Sequence, residues 1–394
     1  MTGVQTGLDR VAAGEGEVLA RLRGRRLGLC AHPASVARDL KHAREVFAAA
    51  GLDVRALFGP EHGFGGEAQD MIAVDGADAG ARASDVPIHS LYGSREEDLS
   101  PRAAQLAGLD AVVVDLQDVG SRYYTFAWTA VCVLRACARA GVEVVVLDRP
   151  NPLGGAIVEG APQRPGYRSF VGLCDVAVRH GMTVGELCLL AARGDGLDAA
   201  CLHVVTMRGW RRETTFDATG LPWVLPSPNM PTLDTARVYP GGCLLEGTNL
   251  SEGRGTTRPF EIWGAPWLDG AALARAARIE GATLRALSFQ PTFHKHAGQR
   301  CGGVQVHVTD AERFRPYEAY LRLIAASRAL AGDAMRWRTE AYEFVSDRPA
   351  IDLLTGGPEY RTLVDAGGEL DGWLDEDRRG AARFANERRA HLLY

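Results

Sequence analysis

Four short, largely apolar runs alternate with helical patterns over the first two-fifths of the chain, and this alternation constrains the fold more than any other feature. Residues 26–32 (RLGLCAH), 54–58, 110–116 (DAVVVDL) and 143–147 (EVVVL) read as strands. Residues 39–50, 103–107 and 125–140 have helical spacing, and two of these runs stop at a glycine suited to a helix C-terminus, Gly51 and Gly141. Strands apolar on both faces and separated by helices predict a parallel sheet covered on both sides. The fold class is therefore α/β, a Rossmann-like doubly wound parallel sheet. Residues 184–192 extend the pattern by a helix and 202–205 by a strand. In such a sheet, ligands bind beyond the carboxyl ends of the strands. That singles out residues 59–67, 89–93, 117–124 and 148–155.

From 221 to 258 the periodicity gives way to Pro, Gly, Asn and Thr, which predicts one long loop. Trp223, Met230, Tyr239, Leu244 and Leu245 make it too apolar for a solvated linker. Beyond it, residues 284–289 and 303–308 read as strands, and 317–330, 359–366 and 375–390 as helices. The 394 residues are enough for two domains. We assign residues 1–260 to the Rossmann-like N-terminal domain and 261–394 to a second, smaller C-terminal α/β domain.

Composition narrows the function. The net charge is −5, and the basic excess of a nucleic-acid binder is missing. Lys41 and Lys295 are the only lysines, which leaves little room for Schiff-base or P-loop chemistry. No apolar run is long enough for a transmembrane helix, so no membrane insertion is expected. The start of the chain lacks a basic patch followed by an apolar stretch, and the eight cysteines are scattered without zinc-like spacing. A cytoplasmic protein with reduced, buried cysteines is the expectation. No G-x-S-x-G elbow and no H-E-x-x-H string is present.

The stretch from Gly59 to Glu67 (GPEHGFGGE) places Glu61 and His62 among glycines at the ligand edge. Gly63-x-Gly65-x-x-Ala68 formally matches a dinucleotide fingerprint, but residues 70–85 show no helix pattern and no acid stands in the expected place. A backbone that approaches a ligand closely, or a plain tight turn, is the alternative. Asp115, Asp118, Arg122, Tyr123 and Tyr124 together suit a polar ligand: arginine holds carboxylates and tyrosine stacks on sugars. Asp148 and Asn151 can bind hydroxyls or an amide, or merely build a rigid turn between two prolines. Residues 246–258 carry Glu246, Glu252, Arg254 and Arg258 among small residues, either as a self-paired loop or as a reactive one. Two carboxyl groups can share acid–base work if their surroundings hold them in different protonation states. Glu61 and Glu246 can do so if the long loop folds over the sheet edge. His62, Asp115, Asp118 and Asp148 have no specific metal-ligand spacing, and no metal is expected.

The strings GPEHGF, DLQDVGSRYYTF, LDRPNPLGG, SFVG, HGMTVGEL, LPWVLPSPNMPT and VYPGGCLLEGTNLSEGRGTTRPFEIWGAPW resemble, in order, glycoside hydrolase family 171, the exo-β-N-acetylmuramidases long catalogued as domain of unknown function 1343. The resemblance implies a nucleotide-free Rossmann-like domain, no cofactor, and a C-terminal domain closing the cleft. It implies an exo-acting hydrolase that releases N-acetylmuramic acid from the non-reducing end of peptidoglycan fragments by cleaving a β-1,4 bond. Its partners would be peptidoglycan-derived saccharides, such as MurNAc-GlcNAc and muropeptides met in cell wall recycling, and not nucleic acid. Under this reading Glu61 is the general acid with His62 orienting it, and Glu246 is the second carboxylate. Asp115 and Glu252 stand in reserve. Arg122 or Arg254 clamps the lactyl carboxylate, Asn229 and Asn249 bind the acetamido group or hydroxyls, and Tyr123 and Tyr124 line the pocket. The alternatives are a non-catalytic muropeptide-binding protein and a metal-dependent hydrolase of another glycan.

Overall fold

The computed structural model describes residues 3–66 and 86–394. Its larger sheet has six parallel strands: β1 (Arg26–Ala31), β2 (Asp53–Gly59), β3 (Ile88–Ser90), β4 (Ala111–Asp115), β5 (Glu143–Leu147) and β6 (Leu202–Val205), in the order β3-β2-β1-β4-β5-β6. This is the doubly wound order, with its switch point between β1 and β4. Period-two alternation divides β4 between two cores. Ala111 and Val113 pack with Leu27, Leu29, Phe47 and Val145 on one face. Val112 and Val114 pack with Phe58, Val144 and the helix Phe126–Ala140 on the other.

The second sheet is antiparallel: β7 (Ile262–Ala265), β8 (Ala282–Phe289) and β9 (Cys301–Val308), in the order β7-β9-β8. The smaller unit therefore has helices packed on an antiparallel sheet. The helix Pro316–Ala331 lies against it, followed by Ala350–Thr355, Glu359–Asp365 and Asp371–Glu387. The apolar core on the Val112 face does not stop at the first sheet. It runs on through Tyr239, Trp263, Val304, Tyr320, Leu354 and Phe384.

The stretch 221–258 is not one loop. Thr232 caps a helix, Leu233–Gly242, by accepting the Thr235 N–H, and a single 3-10 turn, Cys243–Gly247, follows directly. Pro240 and the Gly241-Gly242 pair hide this helix from a propensity reading. Burial of Ala236, Val238 and Tyr239 sustains it. Residues 39–42 also stand outside their predicted helix, which begins at Ala43 with His42 and Glu45 forming a capping box. Glu67, Ala68 and residues 70–85, which bear on the fingerprint, lie outside the described residues.

Candidate active site

β2 ends at Gly59, where an added Cβ would stand 2.5 Å from the Phe64 amide nitrogen. Only glycine permits so tight a reversal, and it carries Glu61 and His62 back over the sheet edge. His62 is left-handed, with φ +70°. Next in the sheet order beyond β1, the loop after β4 brings Tyr123, Tyr124 and Thr125 to the start of the helix Phe126–Ala140. Thr125 occupies the cap position, but its hydroxyl makes no cap bond. It donates instead to Glu61 Oε2 at 2.6 Å.

The second carboxylate arrives from the turn Cys243–Gly247. Glu246 Oε1 accepts from Arg254 Nη2 at 2.7 Å, and its Oε2 accepts the Tyr342 phenol, also at 2.7 Å. Arg254 stands between two glycines with φ of +80° and lies over the Phe260 ring, 5.2 Å from its centroid. Glu61, His62, Tyr123, Tyr124, Asn229, Glu246 and Arg254 all line one narrow cavity with a volume of about 30 Å³. That is the scale of bound water, so a sugar enters only as wall side chains move aside.

Sequence reasoning missed part of the wall. Tyr342 and Val345 bond to each other across a two-residue turn formed by Glu343 and Phe344, with φ of +46° and +68°. Such turns ordinarily take Asn or Gly. Two bulky residues there store strain on the order of 1 kcal/mol each, a signature of functional positions. The turn delivers a third buried carboxylate, Glu343, which accepts from the Tyr92 phenol at 3.2 Å. Burial pushes the Tyr124, Tyr239 and Tyr342 phenols well above their ordinary range, so they serve as neutral hydrogen-bond groups.

The other predicted residues are placed elsewhere, each for a physical reason. Asp115 is fully buried in a bidentate pair with Arg149, at 2.5 and 2.8 Å, beside the switch point. Arg122 donates to the carbonyls of Ala161, Val176 and Leu354 at 3.0, 3.2 and 2.6 Å, so it ties loops together and does not reach the cavity. Asp148 accepts from Thr183 Oγ1, the Gly185 amide and the Tyr394 phenol at 2.7, 2.9 and 2.8 Å. Burial pushes its carboxyl up to about 6. Asn151 holds its own turn, through the Leu153 amide and the Met182 carbonyl. Asn249 bridges to Ala334 and Arg336. Glu252 lies behind Arg254, 3.2 Å from its Nε, and not on the cavity wall.

A larger cavity, about 460 Å³, is lined by Leu153, Arg179, Arg212, Arg237 and Phe314. Size alone would favour it. Its carboxylates are Glu213, Asp217 and Glu312, exposed residues of which Asp217 is already paired with Arg237. Three buried acids, Glu61, Glu246 and Glu343, line the smaller cavity. Among the described residues no cluster of three His, Cys, Asp or Glu side chains is arranged to hold a metal ion, and no helix is long and apolar enough to cross a membrane.

The N-terminal model of the exo-β-N-acetylmuramidase NamZ family matches residues 27–234, and its C-terminal model matches residues 237–394. A curated relative, the peptidoglycan β-N-acetylmuramidase NamZ of Bacillus subtilis (strain 168), is 39% identical over 398 residues, spanning 99% of this chain and 91% of the relative. Two solved structures of DUF1343 family proteins from Bacteroides fragilis NCTC 9343 superpose on it with TM-scores of 0.86 and 0.73, each at 28% identity. The first covers 100% of both chains and the second 99% of both. With two family models matched in order and a relative so similar along nearly its whole length, the chain belongs to the exo-β-N-acetylmuramidase NamZ family.

Proposed function

We propose that this chain is an exo-acting glycoside hydrolase that releases N-acetylmuramic acid from the non-reducing end of peptidoglycan fragments by hydrolysing a β-1,4 bond. The observation that carries the reading is the meeting of Glu61 and Glu246 in one cavity of a NamZ-family chain. Glycoside hydrolysis commonly uses two carboxyl groups on either side of the scissile bond. Glu61 is our choice for the group that protonates the leaving glycosidic oxygen. The Thr125 hydroxyl that holds it can donate or accept, and so tolerates either protonation state. Glu246, between a guanidinium and a phenol, suits the ionised partner that activates water or attacks the anomeric carbon. The water's proton passes to that carboxylate in the first case; in the second, a later water resolves the glycosyl–enzyme ester. The separation of the two carboxyl groups at the bound sugar decides between inversion and retention.

Of the two arginines considered for the lactyl carboxylate, Arg254 is our choice, since it is the one on the cavity wall. Asn229, Tyr123 and Tyr124 line the same cavity, and we assign them to the acetamido group and the ring face. Substrates of the MurNAc-GlcNAc and muropeptide type fit this reading. Eight free thiols, seven of them buried, support work in a reducing compartment.

The test is Glu61→Gln on a chromogenic β-N-acetylmuramide. We expect turnover to fall by roughly a thousandfold or more, as for loss of a general acid, with the melting temperature within a few degrees of the parent. Near-normal turnover removes Glu61 from this role.

A further inference from the structure

Glu252 is fully buried, and three basic side chains converge on it: Lys295 Nζ at 3.0 Å, His294 Nδ1 at 3.0 Å and Arg254 Nε at 3.2 Å. Burial pushes its carboxyl up, but the Lys295 ammonium, the His294 ring and the Arg254 guanidinium override this and hold it well below the usual range. Lys295, one of two lysines in the chain, does more than pair with it. Its Nζ also donates to the Leu245 and Leu250 carbonyls, at 3.0 and 3.2 Å. The ammonium thus makes two hydrogen bonds to backbone carbonyls and one ion pair with Glu252. The two hydrogen bonds grip the backbone on either side of Glu246. His296 adds a ring contact to the Asn249 carbonyl at 2.7 Å.

Arg254 carries the connection forward, since its Nε faces Glu252 and its Nη2 binds Glu246. We propose that Lys295 and Glu252 form a positioning clamp that fixes the backbone around Glu246 and aims Arg254 at its carboxylate. The clamp rests on the reading of Glu246 as one of the two working carboxyl groups. Lys295 is itself a positioning residue and does not line the cavity. A buried anion stripped of its ammonium draws harder on the cation that remains. Without Lys295, Arg254 turns from Glu246 toward Glu252, and Glu246 becomes harder to ionise.

The experiment compares Lys295→Met, the double variant Lys295→Met/Glu252→Gln and Glu246→Gln by steady-state kinetics across pH on the chromogenic muramide. For Lys295→Met we expect kcat to fall roughly tenfold to a hundredfold with KM within about threefold, and the acidic limb to move up by about one pH unit. Adding Glu252→Gln removes the competing anion and restores kcat by roughly fivefold or more over the single variant. The other titratable groups facing Glu246 are Glu61, His62, Glu343, Cys243 and the Tyr239 and Tyr342 phenols, all left in place. Parental kcat and pH profile in Lys295→Met overturn the clamp. So does a fall of kcat and Tm together with an unmoved limb and no recovery in the double variant, which marks plain structural support. If Lys295→Met does not fold, Lys295→Arg keeps the charge without the ammonium's two carbonyl bonds: lowered kcat with the limb in place supports the clamp, and parental kcat overturns it. Glu246→Gln separates the two levels. Retained turnover there overturns the carboxylate reading and the clamp together, whereas an inactive Glu246→Gln beside a normal Lys295→Met overturns the clamp alone.

Discussion

Thr125 stands at the start of the helix Phe126–Ala140, where threonine ordinarily accepts from its own helix, yet its hydroxyl is spent on Glu61. Thr125→Val should therefore lower kcat by roughly tenfold, the scale of one buried hydrogen bond. Tm should stay within about 2 °C, because no cap bond is lost. A fall in Tm without a fall in kcat would assign the hydroxyl to the helix. At this scale GPEHG, after a strand, and the acids among small residues of the loop 221–258 made Glu61 and Glu246 candidates, and both line one cavity. Arg122 misled. A guanidinium that can clamp a ligand carboxylate can equally satisfy three backbone carbonyls, and the choice depends on packing 39 to 232 residues away. Glu343 was invisible because nothing in the letters Glu-Phe announces two left-handed residues in succession.

Among the elements, the helix Leu233–Gly242 decides the shape of the site. Its Tyr239 lines the cavity, and the turn that carries Glu246 continues from its end. It crosses the helix Pro316–Ala331 so closely that a Cβ on Gly241 would stand 2.1 Å from the Pro316 carbonyl oxygen. Gly241→Ala should cost about 2–3 kcal/mol through overpacking. It should also reduce turnover, since the displaced helix carries the cavity wall with it. An unchanged urea midpoint would contradict the close crossing. Five of the six strands of the parallel sheet were legible because apolar runs bounded by helices have one low-energy arrangement; β3, three half-buried residues, is too short to show a pattern. This helix was not legible either. Its proline and paired glycines read locally as a break, and its stability draws on burial against Tyr124, Phe260, Pro316 and Tyr320, which no local window contains.

Across the whole molecule, two buried acids between the halves make stability depend on pH. Burial pushes Asp377 up to about 6 and Glu159 up to about 7. An acid whose folded pKa exceeds its unfolded one binds more protons when folded, so its contribution is full below about pH 4 and lost as pH rises through about 6. Asp377→Asn keeps an oxygen for the Ala161 N–H, which bonds Oδ1 at 2.9 Å, and removes the ionisation. Its stability relative to the parent should thus rise between pH 4 and 7 by about 2 kcal/mol and then level off. A difference that is constant with pH would show that Asp377 does not titrate in this window. The parallel sheet and a separate C-terminal unit were readable from periodicity, but the antiparallel sense of the second sheet and the joining of the two were not, because periodicity describes one segment at a time.

The apolar interior that runs unbroken from Cys30 to Phe384 has a practical consequence. Half-molecules expressed alone, residues 1–225 or 226–394, cut in the loop before the helix Leu233–Gly242, would each expose a raw hydrophobic wall to water and precipitate. Produced in the same cell, they should find one another and recover activity by complementation, with the join sealed by the same side chains that a single chain buries in folding.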